Sequence, residues 1–181
     1  DIALLVNIAT HGGVAQSWGA DAAAAAGTYD PVEVGRLRML REDEDLNWRH
    51  ATMAEADGEI AGMLLGYREP EPAAPLSADT PAFLVPILEL EAEAAGRWFI
   101  SMLGVYVPWR GKGVGSRLLD AADRQQEETG GRGQALIVQD VNAGARRLYE
   151  RRGFAVRSSR PMGRFPGGGP DGDDWLLMVK E

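Results

Sequence analysis

The 181-residue sequence contains no cysteine and only two histidines. The first absence excludes disulfides, thiolate nucleophiles and cysteine-ligated zinc. His11 and His50 lack partners at ligand spacing, so no metal is expected. Missing too is any apolar run near the roughly 20 residues that span a bilayer. The first residues show neither the charged n-region nor the apolar h-region of a secretory leader, although the chain begins at Asp1 rather than Met. The expectation is therefore a cytoplasmic protein with no membrane partner. Positive charge is also in short supply. Lys and Arg number 19 against 27 Asp and Glu, a formal net charge of −8, and a nucleic-acid binder normally carries a basic excess.

What is present fits one soluble domain over residues 1–181: 45% of residues are hydrophobic and 25% charged. A chain of this size buries a core without staples. The charge is unevenly spread. Residues 110–164 hold 12 basic and 6 acidic side chains, a local +6, whereas the remainder holds 7 and 21, or −14. One basic stretch in an acidic protein points to a small polyanionic ligand.

Periodicity gives a coarse map. Ile2, Leu5, Val6 and Ala9 predict a short first helix, and Ala22–Ala26 favours helix with low complexity. Pro31 starts a second helix that runs toward the acidic cluster Glu42–Asp45. His50–Glu55 and Ile60–Tyr67 flank Asp57-Gly58 as a hairpin. Five prolines between Glu69 and Pro86 mark a loop. Arg97–Val107 reads as a central strand, Val114–Glu128 as a helix, Gln134–Gln139 as a strand, and Asn142–Arg152 as a helix ended by Gly153. Phe154–Arg157 and Trp175–Val179 are strands around the Gly/Pro-rich loop Pro161–Gly172.

The most informative segment is Val105-Tyr106-Val107-Pro108-Trp109-Arg110-Gly111-Lys112-Gly113-Val114-Gly115-Ser116. A strand enters a glycine-rich turn that opens a helix. Free N–H groups of the helix start favour anionic oxygens, and Arg110 and Lys112 add charge, so the segment suits a phosphate. A Walker loop would need Ser or Thr after Lys112, where Gly113 stands. A dinucleotide fingerprint would need Gly in place of Ser116. The pattern Arg-x-x-Gly-x-Gly is met in full by Arg110, Gly113 and Gly115. The plain alternative is a turn rich in glycine for packing alone.

With that pattern the sequence resembles the GNAT N-acetyltransferase superfamily. A second block, Asn142-Ala143-Gly144-Ala145-Arg146-Arg147-Leu148-Tyr149-Glu150-Arg151-Arg152-Gly153-Phe154, is similar to the superfamily's Asn-x-x-Ala-x-x-Leu-Tyr-x-x-x-Gly-Phe at every fixed position. The two blocks cover about a third of the chain, and the N-terminal half agrees only in layout. The resemblance implies an α/β fold: a mixed, mostly antiparallel twisted sheet with helices on both faces, splayed beside acetyl-CoA. Because the chain opens inside a helix, the first strand of that fold is expected to be missing.

The resemblance also implies roles. The backbone of Val105, Tyr106 and Val107 would grip the pantetheine arm, and amides from Gly111, Lys112, Gly113, Val114, Gly115 and Ser116 would hold the pyrophosphate beside Arg110. Asn142 would bond the arm, and Tyr149 would protonate the departing thiolate. Asn142 also reads as a plain N-cap and Tyr149 as a packing tyrosine. Arg146, Arg147, Arg151 and Arg152 suit an exposed helix face better than a phosphate contact.

No carboxylate or imidazole lies within Phe99–Val107 to act as base. The open routes are one of Glu89, Glu91 and Glu93 reaching in or a relay through ordered water, but Glu alternating at these positions better suits the solvent face of a strand, and none of them is assigned a catalytic part. Trp18, Trp48 and Trp109 suit either a cleft or the core. The implied function is transfer of acetyl from acetyl-CoA to a primary amine, small-molecule or peptide, by direct transfer in a ternary complex. The alternative is a non-catalytic acyl-CoA-binding or sensing module of the same fold. A homodimer through the last strands fits the resemblance, and no nucleic-acid partner is expected.

Overall fold

The computed structural model describes residues 1–12, 30–42, 45–163 and 172–181. Trp18, the run Ala22–Ala26, part of the cluster Glu42–Asp45 and most of the loop Pro161–Gly172 lie outside the described residues. Helices among those described are α1 (Ile2–Ala9), α2 (Pro31–Met39), α3 (Val85–Glu93), α4 (Val114–Thr129) and α5 (Ala143–Arg151). The strands are β1 (Ala51–Ala56), β2 (Glu59–Arg68), β3 (Trp98–Val105), β4 (Gln134–Gln139), β5 (Ala155–Pro161) and β6 (Asp174–Lys180). They form one six-stranded sheet in the order β1-β2-β3-β4-β6-β5. Strands β1 and β2 pair antiparallel, as do β4 with β6 and β5 with β6, while β3 and β4 are parallel and joined by α4. A parallel pair requires such a crossover.

The described residues gather into two compact units. The first draws on Asp1–Gly66 and Met102–Asp120. Here α1 buries Ala3, Leu5 and Val6 and packs with α2. Burying Leu5 or Val6 fully contributes about 1.5–3 kcal/mol each relative to exposure. Helix α2 starts where Pro31 fixes the first backbone angle, and the Asp30 carboxylate accepts the Val32 N–H at 2.9 Å. The β1–β2 hairpin turns at Asp57 and Gly58, with φ of 52° and 77°, as the two-residue turn requires. Gly104 on β3 admits the α1 backbone: a Cβ there would lie 2.7 Å from the Leu5 carbonyl oxygen. The Tyr106 hydroxyl then donates to Asp1 at 2.9 Å, fastening the helix start to the end of the strand.

The second unit draws on Tyr67–Ser101 and the described residues from Ala121 onward. Its core joins Leu90 of α3, Phe99 of β3, Ala135 of β4, and Trp175, Leu177 and Val179 of β6. Strand β4 pairs with β6 along its whole length, but with β3 only from Trp98↔Gln134 to Ile100↔Leu136. Beyond that register β3 continues to Val105.

Three expectations are corrected. The prolines before residue 87 do not mark loop throughout, because Pro86 sits in the first turn of α3, where its missing N–H costs nothing. Glu89, Glu91 and Glu93 therefore lie on a helix and not on the solvent face of a strand. At i and i+4 the first and last of them share one side, and both bond Arg160 of β5, Glu89 at 2.9 Å and Glu93 at 2.7 Å. Ser158 also donates to Glu93 at 2.6 Å. The central strand ends at Val105 rather than Val107, which begins a 3-10 turn with Pro108 and Trp109.

Candidate active site

In the first unit β3 delivers the chain into the glycine-rich turn. The Tyr106 N–H donates to the Ala61 carbonyl at 3.0 Å, the last ladder-like bond before Val107–Trp109 coils. Val107 is 69% exposed, and Val105 remains the last strand residue. Arg110 folds back so that its Nε donates to the Val105 carbonyl at 3.1 Å. Gly111 and Gly113 have φ of 72° and 81°, left-handed values, and a Cβ at either would meet nothing within 4 Å. The two glycines thus expose backbone on an open surface where a side chain would be strained.

Helix α4 follows at once. Its first described backbone bond runs from the Arg117 N–H to the Gly113 carbonyl at 3.1 Å. The N–H groups of Val114, Gly115 and Ser116 therefore precede the intrahelical ladder, and Gly113 has no side chain with which to cap them. Donors at a helix start, an open glycine surface and two cations suit a pyrophosphate. The Lys112 ammonium lies 4.8 Å from the centre of the Trp109 ring. Every sequence-predicted phosphate-binding residue from Arg110 to Ser116 lies in this turn or in the first turn of α4.

The second unit holds the other two predicted residues. Asn142 is the N-cap of α5: its Oδ1 accepts the Ala145 N–H at 3.2 Å. Tyr149 is buried, with its ring 6.0 Å from that of Phe154 in an edge-to-face arrangement at 60°. Burial pushes its phenol up to about 12, so the hydroxyl keeps its proton at neutral pH. Arg146 donates from Nη1 to the Asp140 carbonyl at 2.8 Å, and Arg152 pairs with Asp123 at 3.2 Å. Both arginines hold structure rather than lining an exposed face alone. Arg147 and Arg151 are exposed, as expected.

Sequence reasoning missed the part played by Trp109. Trp48 is 46% exposed with the Arg49 guanidinium 5.4 Å over its ring, which is a surface role. Nothing marked Asp123 beforehand. It accepts Lys180 at 2.6 Å, Gln134 at 2.7 Å and Arg152, tying α4 to the strands of its unit. Among the described residues no group of three His, Cys, Asp or Glu is placed to hold a metal ion, and no helix is long and apolar enough to cross a membrane.

A six-stranded, mostly antiparallel sheet whose β3 feeds a phosphate-type turn defines an acyltransferase-like α/β protein. The model of the acetyltransferase (GNAT) family matches residues 22–154, well over half of the sequence, and the chain belongs to that family. Solved structures agree in fold. A crystal structure of an acetyltransferase is 19% identical, with 99% of this chain and 92% of that chain covered and a TM-score of 0.65. The ribosomal-protein-S18-alanine N-acetyltransferase from Escherichia coli is 16% identical over 81% and 75% of the two chains, with a TM-score of 0.51. A GNAT family acetyltransferase from Elizabethkingia anophelis with acetyl-CoA bound is 17% identical over 72% and 74%, with a TM-score of 0.50. No curated protein sequence matches the chain at a significant level.

Proposed function

We propose that residues 1–181 act as one acetyltransferase domain that moves an acetyl group from acetyl-CoA to a primary amine by direct transfer in a ternary complex. The observation that carries this is the open turn Arg110–Ser116, with left-handed Gly111 and Gly113 before a helix whose first ladder bond runs from the Arg117 N–H to the Gly113 carbonyl. One family model running from residue 22 to 154, through segments of both units, supports the single-domain reading.

When bound, acetyl-CoA supplies the thioester whose carbonyl carbon the amine attacks as the C–S bond breaks. The chain's own residues do the rest. Amides of Gly111 to Ser116, with Arg110 and Lys112, hold the pyrophosphate. The backbone of Val105, Tyr106 and Val107 and the Asn142 side chain hold the arm. Tyr149 would supply a proton to the departing sulfur. Burial raises the Tyr149 phenol to about 12, so it gives up its proton reluctantly. Tyr149 therefore acts first as a hydrogen-bond donor to the developing thiolate, and the proton follows as the amine loses its own. Water relays the amine proton away and a proton returns from solvent to the Tyr149 oxygen, since β3 offers no carboxylate or imidazole and Glu89 and Glu93 are engaged by Arg160.

The acceptor classes in this reading are a small-molecule amine and a peptide amino end. The acetylated partner named for the Escherichia coli neighbour is a ribosomal protein, which makes peptide ends the first acceptors to try. The missing strand base also favours the second reading, an acyl-CoA-binding module without turnover. Calorimetric titration with acetyl-CoA, CoA and ATP tests the cofactor: binding of the first two and not the third is expected, and ATP binding alone would overturn both readings. Thiol release over a panel of amines then separates enzyme from binder, and a protein with no cysteine adds no thiol of its own.

A further inference from the structure

We infer that Trp109 is a positioning residue for Lys112, and through it for the phosphates of the co-substrate; this rests on the cofactor reading just proposed. Lys112 stands between the two left-handed glycines, Gly111 and Gly113, so the backbone on either side presents no side chain against which its four-carbon stem could rest. A lysine so placed would sample many rotamers and lose about 2 kcal/mol of rotamer freedom if a ligand had to fix it. The ring of Trp109, three residues earlier, supplies the missing wall. The ammonium lies 4.8 Å from the ring centre, within the range at which the face of an indole attracts a cation.

The 3-10 turn Val107–Trp109 is what aims the ring. The Trp109 N–H donates to the Tyr106 carbonyl at 2.9 Å and the Arg110 N–H to the Val107 carbonyl at 3.2 Å, which fixes the backbone on both sides of the indole. Arg110 is tethered as well, through its Nε to the Val105 carbonyl. Both cations of the turn are thus held by the protein itself, one by a carbonyl and one by an aromatic face. A cation–π contact occupies one side of an ammonium and leaves its other N–H bonds free to donate. The pair therefore presents a pre-oriented donor to an anion instead of withholding it, and ordering is completed before the ligand arrives.

The test is a double-mutant cycle read by calorimetric CoA binding, with Trp109→Leu, Lys112→Met and both together. Trp109→Leu is expected to weaken CoA binding about three- to fivefold, the size of an exposed cation–π contact. In the Lys112→Met background it should change affinity little, and Trp109→Phe should restore most of the loss. Pantetheine, which lacks the phosphates, should bind every variant alike. Thermal denaturation checks that each variant is folded. If Trp109→Leu binds CoA as the wild type does, or weakens it equally whether or not Lys112 is present, the positioning role is overturned. Failure of the cofactor reading looks different: the unsubstituted protein would not bind CoA at all.

Discussion

Helices α4 and α5 begin in opposite ways. The start of α4 is left open: Gly113 supplies no cap, and the amides of Val114 to Ser116 sit ahead of the ladder beside Arg110 and Lys112. The start of α5 is closed on itself, with Asn142 Oδ1 on the Ala145 N–H, and two turns later the helix buries Tyr149 against Phe154. An open helix end in a positive setting is a binding surface, because its donors are unsatisfied until an anion arrives. A capped end with a buried phenol is a rigid platform, because the cap bond and the ring packing are in place before any ligand binds. In the proposed reading the first holds charge and the second holds chemistry.

Removing the chemistry should show the largest effect. Tyr149→Phe deletes one buried hydroxyl and keeps the ring contact with Phe154, so CoA affinity and stability should hardly change. Turnover should fall about a hundredfold, the lower end for a positioned proton donor. Since burial holds the phenol near 12, the wild-type rate should show no alkaline decline from this group below about pH 11. An alkaline limb near pH 9 that vanishes in Tyr149→Phe would mean the phenol titrates far below what its burial dictates. Unchanged turnover would remove Tyr149 from the mechanism and leave the packing role alone.

Breaking the open end comes next. Gly113→Val forces a β-branched residue to φ near 81°, which costs about 1–2 kcal/mol of strain and reshapes the turn. CoA binding measured by calorimetry should fall tenfold or more, whereas pantetheine binding should change much less. Equal loss for both ligands would argue that the turn serves the whole sheet end and not the phosphates.

How far the sequence carried this comparison depends on whether a signal was local. The open turn was legible because glycine spacing and adjacent cations are written in consecutive residues, and the α5 block because its cap, apolar face and terminal Gly153 are all local. The helix Val85–Glu93 was not. Glu at every second position suits a half-exposed strand, and Pro86 closes a proline-rich run as readily as it opens a helix. Only Arg160, some seventy residues away, shows that Glu89 and Glu93 belong on one helical side. The Trp109–Lys112 pair escaped notice for a related reason: the contact depends on a 3-10 turn that Pro108 allows but does not announce. Asp123 likewise gathers partners from residues 134, 152 and 180, which no window of sequence contains.

That Asp123 cluster gives a smaller, pH-dependent effect on the platform side. Burial works to raise its pKa, but hydrogen bonds from Lys180 and Gln134 and the charges of Lys180 and Arg152 outweigh it and hold the carboxyl below its usual value. A carboxylate with a depressed folded pKa adds stability that is complete above its unfolded value, about 4, and is lost as pH falls through the folded one. Asp123→Ala should cost about 1–2 kcal/mol at pH 7, given partly exposed partners. The gap between wild type and variant should close as the pH drops below about 4, followed by urea denaturation. A gap independent of pH would assign the loss to packing instead.

The smallest effect is the sharpest for the comparison itself, because Asn142 stands at the closed end yet is proposed to touch the cofactor arm. Asn142→Ala removes the cap and should cost about 1 kcal/mol of stability. Asn142→Ser keeps an oxygen able to accept the Ala145 N–H, so stability should return nearly to wild type. The serine cannot supply the amide N–H₂ that the asparagine offers. If Asn142 bonds the arm, both variants should bind CoA and pantetheine a few-fold more weakly, independently of stability. If affinity follows stability and recovers in Asn142→Ser, the residue is a cap alone. The closed helix start would then be a platform for Tyr149 and nothing more, and the division between the two helix starts would be complete.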